Sequence, residues 1–461
     1  MTSSSGLTRK IAAWIVEQQQ EPLPTALDHH VRRLLLDHLA GVVASTPGEV
    51  SAAVARHAHR LYPGTAATAI GHGRLSVPGA AMINGTNGHG IESDEGYTPG
   101  SMHPTSVVFP AVFAVAQDRE LPAERALVAA AIGMELACRL AAAGHPATRH
   151  RHFHNTPIAG VFGAAAAVSV LYELDVEHVA NALGIAGSHA SGLFEFLSSS
   201  AEVKRFHPGK AARDGIAAVD LVDSGLTGPT TVFEGTDGYF AAYAGVEGED
   251  WHVETVLEGL GETWVLTRTY VKPYPCCRHL HGAIDAALAI RSDNALTPDE
   301  IESVAVGTFA IATRHAGRAL ATLLDAQLSL PFTVATALVR GAVGLTDFEP
   351  AARTDSTVLA LMDKISVHLD PEADAAYPRS GRPAEVTITT TDGRVFAQRV
   401  QHPYGEPSNP MHDADLEAKA RRLAEPVVGA AAATKLIAAA WDGDALAVLD
   451  VLDHAVRATA P

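Results

Sequence analysis

Cysteine is scarce: three in 461 residues, Cys138 and the adjacent pair Cys276 and Cys277. That excludes a disulfide framework, and an odd count points to a reducing, cytoplasmic setting. Aromatics make up 6% and charged residues 19% of the chain. Lysine is sparse too: Lys10, Lys204, Lys210, Lys272, Lys364, Lys419 and Lys435 are all there are. No C-x-x-C pair, Walker loop, dinucleotide fingerprint or G-x-S-x-G elbow occurs, which leaves iron–sulfur, nucleotide, flavin and serine-hydrolase chemistry without support. No signal-peptide core precedes Gln20, and the longest apolar run, about Pro157 to Tyr172, is too short to span a bilayer. No membrane partner is expected.

What is present is 47% hydrophobic and carries a net charge of −18. The apolar share is enough for a large core and excludes wholesale disorder. The negative surface repels phosphate backbones, so no nucleic acid is expected. A small anionic substrate then needs a site that gathers its own cations.

The first half reads as helix. Val31, Leu34, Leu35, Leu39 and Val42 fall on one stripe between Asp28 and Val43. Leu121 to Ala143 is a second helix with Pro122 and Glu124 in its first turn. Asn155-Thr156-Pro157 caps the Ala-rich run that follows, and Gly209 to Ser224 predicts a helix closed by Gly225. After about Thr267 the period changes. Val304 and Val306 alternate, as do Ile365, Val367 and Leu369. Glu385 to Thr391 and Arg394 to Val400 flank Asp392-Gly393, a hairpin signal. Helices of about Gly282 to Arg291 and Pro331 to Arg340 lie among these strands, and Asp413 to Ala458 returns to helix. The expected fold is mainly α: a discontinuous helical domain, residues 1–267 and 403–461, with an α+β domain inserted at 268–402.

The chemistry-bearing residues sit before expected helices. His103-Pro104 precedes Thr105, and His154 precedes the Asn155 cap. Lys204, Arg205 and His207 precede Gly209, with Lys210 in its first turn. Lys272 and Arg278 precede a helix near His281. Helix N-termini present free N–H groups and partial positive charge, which suit carboxylates. The acidic run Glu92-Ser93-Asp94-Glu95 lies in a Gly-rich stretch, where a carboxylate beside histidines can tune a general acid or base. His150, His152 and His154 alternate, as do His279 and His281, but neither set has a Cys or carboxylate at a familiar ligand spacing, so no metal is expected.

These segments, in this order, resemble the MmgE/PrpD (2-methylcitrate dehydratase) family. The carriers are Asn84-Gly85 through His89 to Glu95, His103-Pro104, Phe153-His154, Lys204 to His207 with Gly209-Lys210-Ala211-Ala212, Thr227-Gly228-Pro229, Lys272 to Arg278 with His281, Asp325 to Ser329, and Gly405-Glu406-Pro407. The resemblance covers nearly the whole chain. It implies a helical domain with an α+β lid domain, a homodimer, and a site in the cleft between the domains without metal or organic cofactor. Members include 2-methylcitrate dehydratase, cis-aconitate decarboxylase and iminodisuccinate epimerase, which share proton transfer at carbon next to a carboxylate.

By motif position the resemblance implies catalytic roles for His103, Lys204, His154, Glu92 and Asp94, with His103 and Lys204 as the proton-transfer pair. It implies carboxylate binding by Lys272, with Arg278, His281, Cys277, His207 and Lys210 as further contacts. Three positions depart from the family. Glu92 stands where a shorter Asp is usual, Gly96 replaces a Thr or Ser, and Cys277 replaces the decarboxylases' His. The expected activity is a cofactor-free lyase dehydrating a hydroxylated di- or tricarboxylate. The departures weigh against cis-aconitate decarboxylation and leave an epimerase, or a binding protein without chemistry, as the alternatives.

Overall fold

The computed structural model describes residues 6–199, 201–245, 252–442 and 444–459. Met1 to Ser5 of the polar N-terminal stub lie outside them. The chain is mainly helical and divides into two compact units. The first comprises 1–90, 94–270 and 412–461, and the second 91–93 and 271–411.

The first unit is built on long helices. Thr25–Ser45 carries the stripe of Val31, Leu34, Leu35, Leu39 and Val42, all buried. Ala123–Gly144 and Asn155–Leu171 form its centre, and every residue of the latter is buried. Ala and Gly dominate that helix because its neighbours press on it from all sides; burial of an all-round apolar surface marks a core helix. Ala123–Gly144 and Asp413–Trp441 are long and apolar enough to cross a membrane, and the first is enclosed by its neighbours here. Asp413–Asp442 breaks at Gly429, whose φ of 75° is a left-handed conformation. A short hairpin, Ala67–Ala69 with Gly73–Leu75, is the unit's only sheet among the described residues.

Two helices meet on glycine near the chemistry-bearing residues. Val77–Gly88 runs up to His89, and Val203–Asp223 carries Lys204 and His207. A Cβ on Gly85 would fall 2.7 Å from the Gly209 Cα, and one on Gly209 would fall 2.1 Å from the Met82 carbonyl oxygen. Only glycine allows this approach. The second helix begins six residues earlier than the expected Gly209, so Lys204, Arg205 and His207 lie in its first turns rather than before it. Pro208 lies inside this helix and lacks an N–H, but one lost bond near a helix end does not stop it.

The second unit holds a four-stranded sheet in the order Ile365–Leu369, Ile301–Thr308, Ala384–Thr390, Val395–Val400. The first pair is parallel and the others antiparallel. Ala384–Thr390 alternates strictly between buried and half-buried, with Val386 and Ile388 inward. Helices His281–Asn294 and Leu330–Arg340 supply the rest of the core through Ile284, Ala287, Val334 and Leu338. Residues 91–93 and 403–411, which the sequence pattern leaves with the helices, pack as part of this unit.

Candidate active site

In the first unit, four histidines from separate segments converge. His89 ends the helix Val77–Gly88, His103 precedes Thr105–Asp118, His154 is the N-cap position of Asn155–Leu171, and His207 lies in Val203–Asp223. The His89 ring centroid is 4.8 Å from that of His103 and 6.3 Å from that of His154. His154 and His207 approach to 2.9 Å between their Nδ1 atoms.

Asp94 organises this group. Its Oδ2 lies 2.6 Å from His89 Nδ1 and 3.1 Å from His103 Nδ1. His103 Nδ1 also meets the Glu95 carbonyl oxygen. Acceptors on Nδ1 fix the proton there in both rings, so each Nε2 keeps a lone pair. The His89 Nε2 is buried with no hydrogen-bond partner. His89 is fully enclosed, whereas the His103 side chain is 15% exposed. Burial outweighs the attraction of Asp94 and pulls the His89 pKa down to about 3. Burial and the neighbouring rings hold His154 well below the usual histidine value, and burial takes His207 to about 4. These rings are neutral bases at pH 7.

Glu95 lies beside them. Its oxygens accept from the Thr105 N–H at 2.9 Å and from the Thr105 hydroxyl, which anchors the start of helix Thr105–Asp118. Burial and the Asp94 charge push its pKa up to about 7. Gly96 follows, and a Cβ there would fall 2.3 Å from the Tyr270 hydroxyl oxygen. The Gly96 and Tyr270 backbones exchange hydrogen bonds of 3.1 and 2.9 Å. The Tyr270 phenol thus takes the space that a Thr or Ser side chain at 96 would need. Lys204 acts on His89 by its positive charge. Lys210 points elsewhere: its Nζ binds Asp214 at 2.7 Å and the His189 carbonyl at 3.0 Å. It lines a separate groove of about 510 Å³ with Tyr62 and Arg213.

The second unit carries its own polar cluster. Lys272 is 1% exposed, and its Nζ lies 3.1 Å from the Glu92 carbonyl oxygen and 3.4 Å from Glu92 Oε2. Glu92 has a φ of 56°, a strained value for a residue with a Cβ. The acidic run is therefore divided: Glu92 belongs to the second unit, Asp94 and Glu95 to the first. Gln327 Nε2 binds the Ile91 and Pro275 carbonyls at 2.8 and 2.9 Å, fixing the segments that present Glu92 and Cys276. Arg278 is spent on the frame, bonding Glu406, the Tyr404 carbonyl and His281 Nδ1. The other His281 nitrogen lies 3.2 Å from the Cys276 carbonyl oxygen, so both are engaged within the unit. Cys277 Sγ lies 3.7 Å from His315 Nε2.

His89, His315, Gln327 and Glu95 were not among the expected site residues. His89, Gln327 and Glu95 lie inside the family-like segments; His315, in Thr313-Arg314-His315, carries no motif signal.

One group among the described residues offers three metal-ligating atoms close together: His89, Asp94 and His103. Ligands on one tetrahedral zinc, each about 2 Å from the ion, stand about 3.3 Å apart. The 2.6 Å between His89 Nδ1 and Asp94 Oδ2 is instead a charge-assisted hydrogen bond.

The chain belongs to the MmgE/PrpD family: its N-terminal domain description matches residues 9–252 and its C-terminal domain description residues 274–443. Among relatives, the cis-aconitate decarboxylase-like protein oryM of Aspergillus oryzae is 28% identical over 451 residues, covering 93% of this chain and 92% of that protein. Cis-aconitate decarboxylase of Mus musculus is 26% identical over 439 residues, covering 92% and 87%. That of Aspergillus terreus is 25% identical over 449 residues, covering 92% and 90%.

Proposed function

We propose that the protein is a lyase of di- or tricarboxylates that works by proton transfer at the carbon next to a carboxylate, without metal or organic cofactor. The observation that carries this reading is the shared Asp94, which aims the Nδ1 protons of His89 and His103 at itself and leaves their Nε2 atoms basic. His103, the more exposed of the two, is the base. As it takes the proton, Asp94 stabilises the imidazolium that forms, the arrangement that makes a histidine–carboxylate pair effective. The electron pair left on carbon spreads into the carboxylate as an enediolate. Lys204, whose charge already acts on His89, lowers that barrier, and Lys272 is by its motif position the candidate carboxylate anchor. The pair then returns to form a carbon–carbon double bond as the β-hydroxyl takes the proton held by His103 and leaves as water.

Dehydration of a hydroxylated polycarboxylate is the reaction we favour. Decarboxylation of a cis-aconitate-like acid is the second reading, supported by the relatives named cis-aconitate decarboxylase. Screening di- and tricarboxylates by thermal shift, then following hits by NMR, tests both. Growth of an unsaturated-acid signal with carbon count unchanged supports dehydration. Release of carbon dioxide supports the second reading, and interconversion of stereoisomers without either product contradicts a lyase.

A further inference from the structure

Cys276 and Cys277 are neighbours in sequence and opposites in chemistry. Cys276 is fully buried, and burial raises its thiol pKa far above the usual range. Cys277 is partly exposed, with Sγ 3.7 Å from His315 Nε2. Burial alone would raise its pKa too. The His315 imidazole, the His279 backbone N–H and the Lys272 charge outweigh it and bring the thiol to about 6. The His315 shift is the mirror image: burial would lower it, but the Cys277 sulfur and a bond with the Leu328 backbone raise it above the usual histidine value. Sulfur and imidazole nitrogen in contact, the thiol pulled down and the ring pulled up, make the arrangement that renders a cysteine nucleophilic.

We infer that Cys277 is a nucleophilic site for α,β-unsaturated carboxylates, with His315 as its proton donor. The imidazolium selects the class. Addition to a conjugated double bond creates a carbanion that must be protonated, and the proton stands beside the attacking sulfur. The thiolate pair forms a carbon–sulfur bond at the β-carbon. The π electrons move onto the α-carbon and its carboxylate, and the His315 proton completes that carbon. Nothing is oxidised or reduced, and nothing leaves. The inference rests on the proposed function only for the natural electrophile, since a lyase acting on a polycarboxylate makes such an acid.

The test uses the full chain, with maleate as the conjugated electrophile and iodoacetamide as a neutral probe of the thiolate. Peptide mass spectrometry should place the maleate adduct on Cys277, with none in Cys277→Ser. Iodoacetamide should label Cys277 at least tenfold faster than Cys276 or Cys138 at pH 7, with a rate midpoint near pH 6. His315→Gln should move that midpoint up by a unit or more, towards the ordinary thiol value of about 8.5. A wild-type midpoint at or above pH 8, which needs no variant to measure, overturns the pair. Absence of a maleate adduct overturns the substrate class. Neither arm requires turnover, so failure of the proposed lyase reaction reads out separately.

Discussion

His89 in the first unit and His315 in the second are both enclosed imidazoles facing an anionic group. At His89 burial wins, and the ring loses its proton despite Asp94 at 2.6 Å. At His315 the anion wins, and the ring's pKa rises above the usual histidine value beside Cys277. The difference lies in the other neighbours. His89 is fully enclosed and also feels the Lys204 charge, which repels a second proton. His315 has a further backbone partner at Leu328 that welcomes one. The same side chain is thus set as a base in one cluster and as an acid in the other.

The largest effect should come from breaking the basic side. His103→Asn keeps a hydrogen bond but cannot carry the proton, and turnover of any substrate found should fall by about 10²- to 10⁴-fold. Thermal protection by that substrate should persist. An Asn variant with a tenth or more of wild-type turnover would move the base elsewhere.

Lys272→Ala sharpens the contrast from the cationic side. It should raise KM at least tenfold while Lys272→Arg, which keeps the charge, recovers part of the loss. Unchanged constants in Lys272→Ala would take Lys272 out of the reaction. Glu92 loses its ion pair in this variant, so melting should be measured alongside.

A smaller effect separates the clusters by pH. His38 and His89 are pulled to about 3, His207 to about 4, and His154 well below 6.5, all by burial. A histidine depressed in the folded state contributes fully above its unfolded value of about 6.5 and loses that contribution as pH falls, at up to about 1.4 kcal/mol per pH unit for each ring. Glu95 has the opposite sign: raised to about 7, it costs stability as pH rises from about 4.5. Four rings outweigh one carboxyl, so the melting temperature should drop as pH is lowered from 6.5 to 5. A flat profile would mean that the rings are protonated in the folded state.

Local order was legible in the sequence where a period and a stop signal coincide. The hairpin around Asp392-Gly393 appears as Ala384–Thr390 and Val395–Val400, because two-residue alternation and a turn pair leave little choice. The parallel pairing of Ile301–Thr308 with Ile365–Leu369 was not legible, since partners some sixty residues apart leave no local trace. The helix start at Val203, six residues before the expected Gly209, was not legible. Three of the four histidines, His103, His154 and His207, were legible as residues but not as a place: they meet each other and His89 only through the packing of four helices. His315 was invisible because its role depends on Cys277, a residue of a different segment.

Solvent exchange tests the central claim most directly. In deuterium oxide, NMR on the first polycarboxylate that stabilises the protein should show deuterium entering at the carbon next to a carboxylate, or product carrying it there. His103→Asn should abolish the signal while binding persists. Turnover without carbon–hydrogen exchange, or exchange undiminished in His103→Asn, would contradict a histidine base held by Asp94.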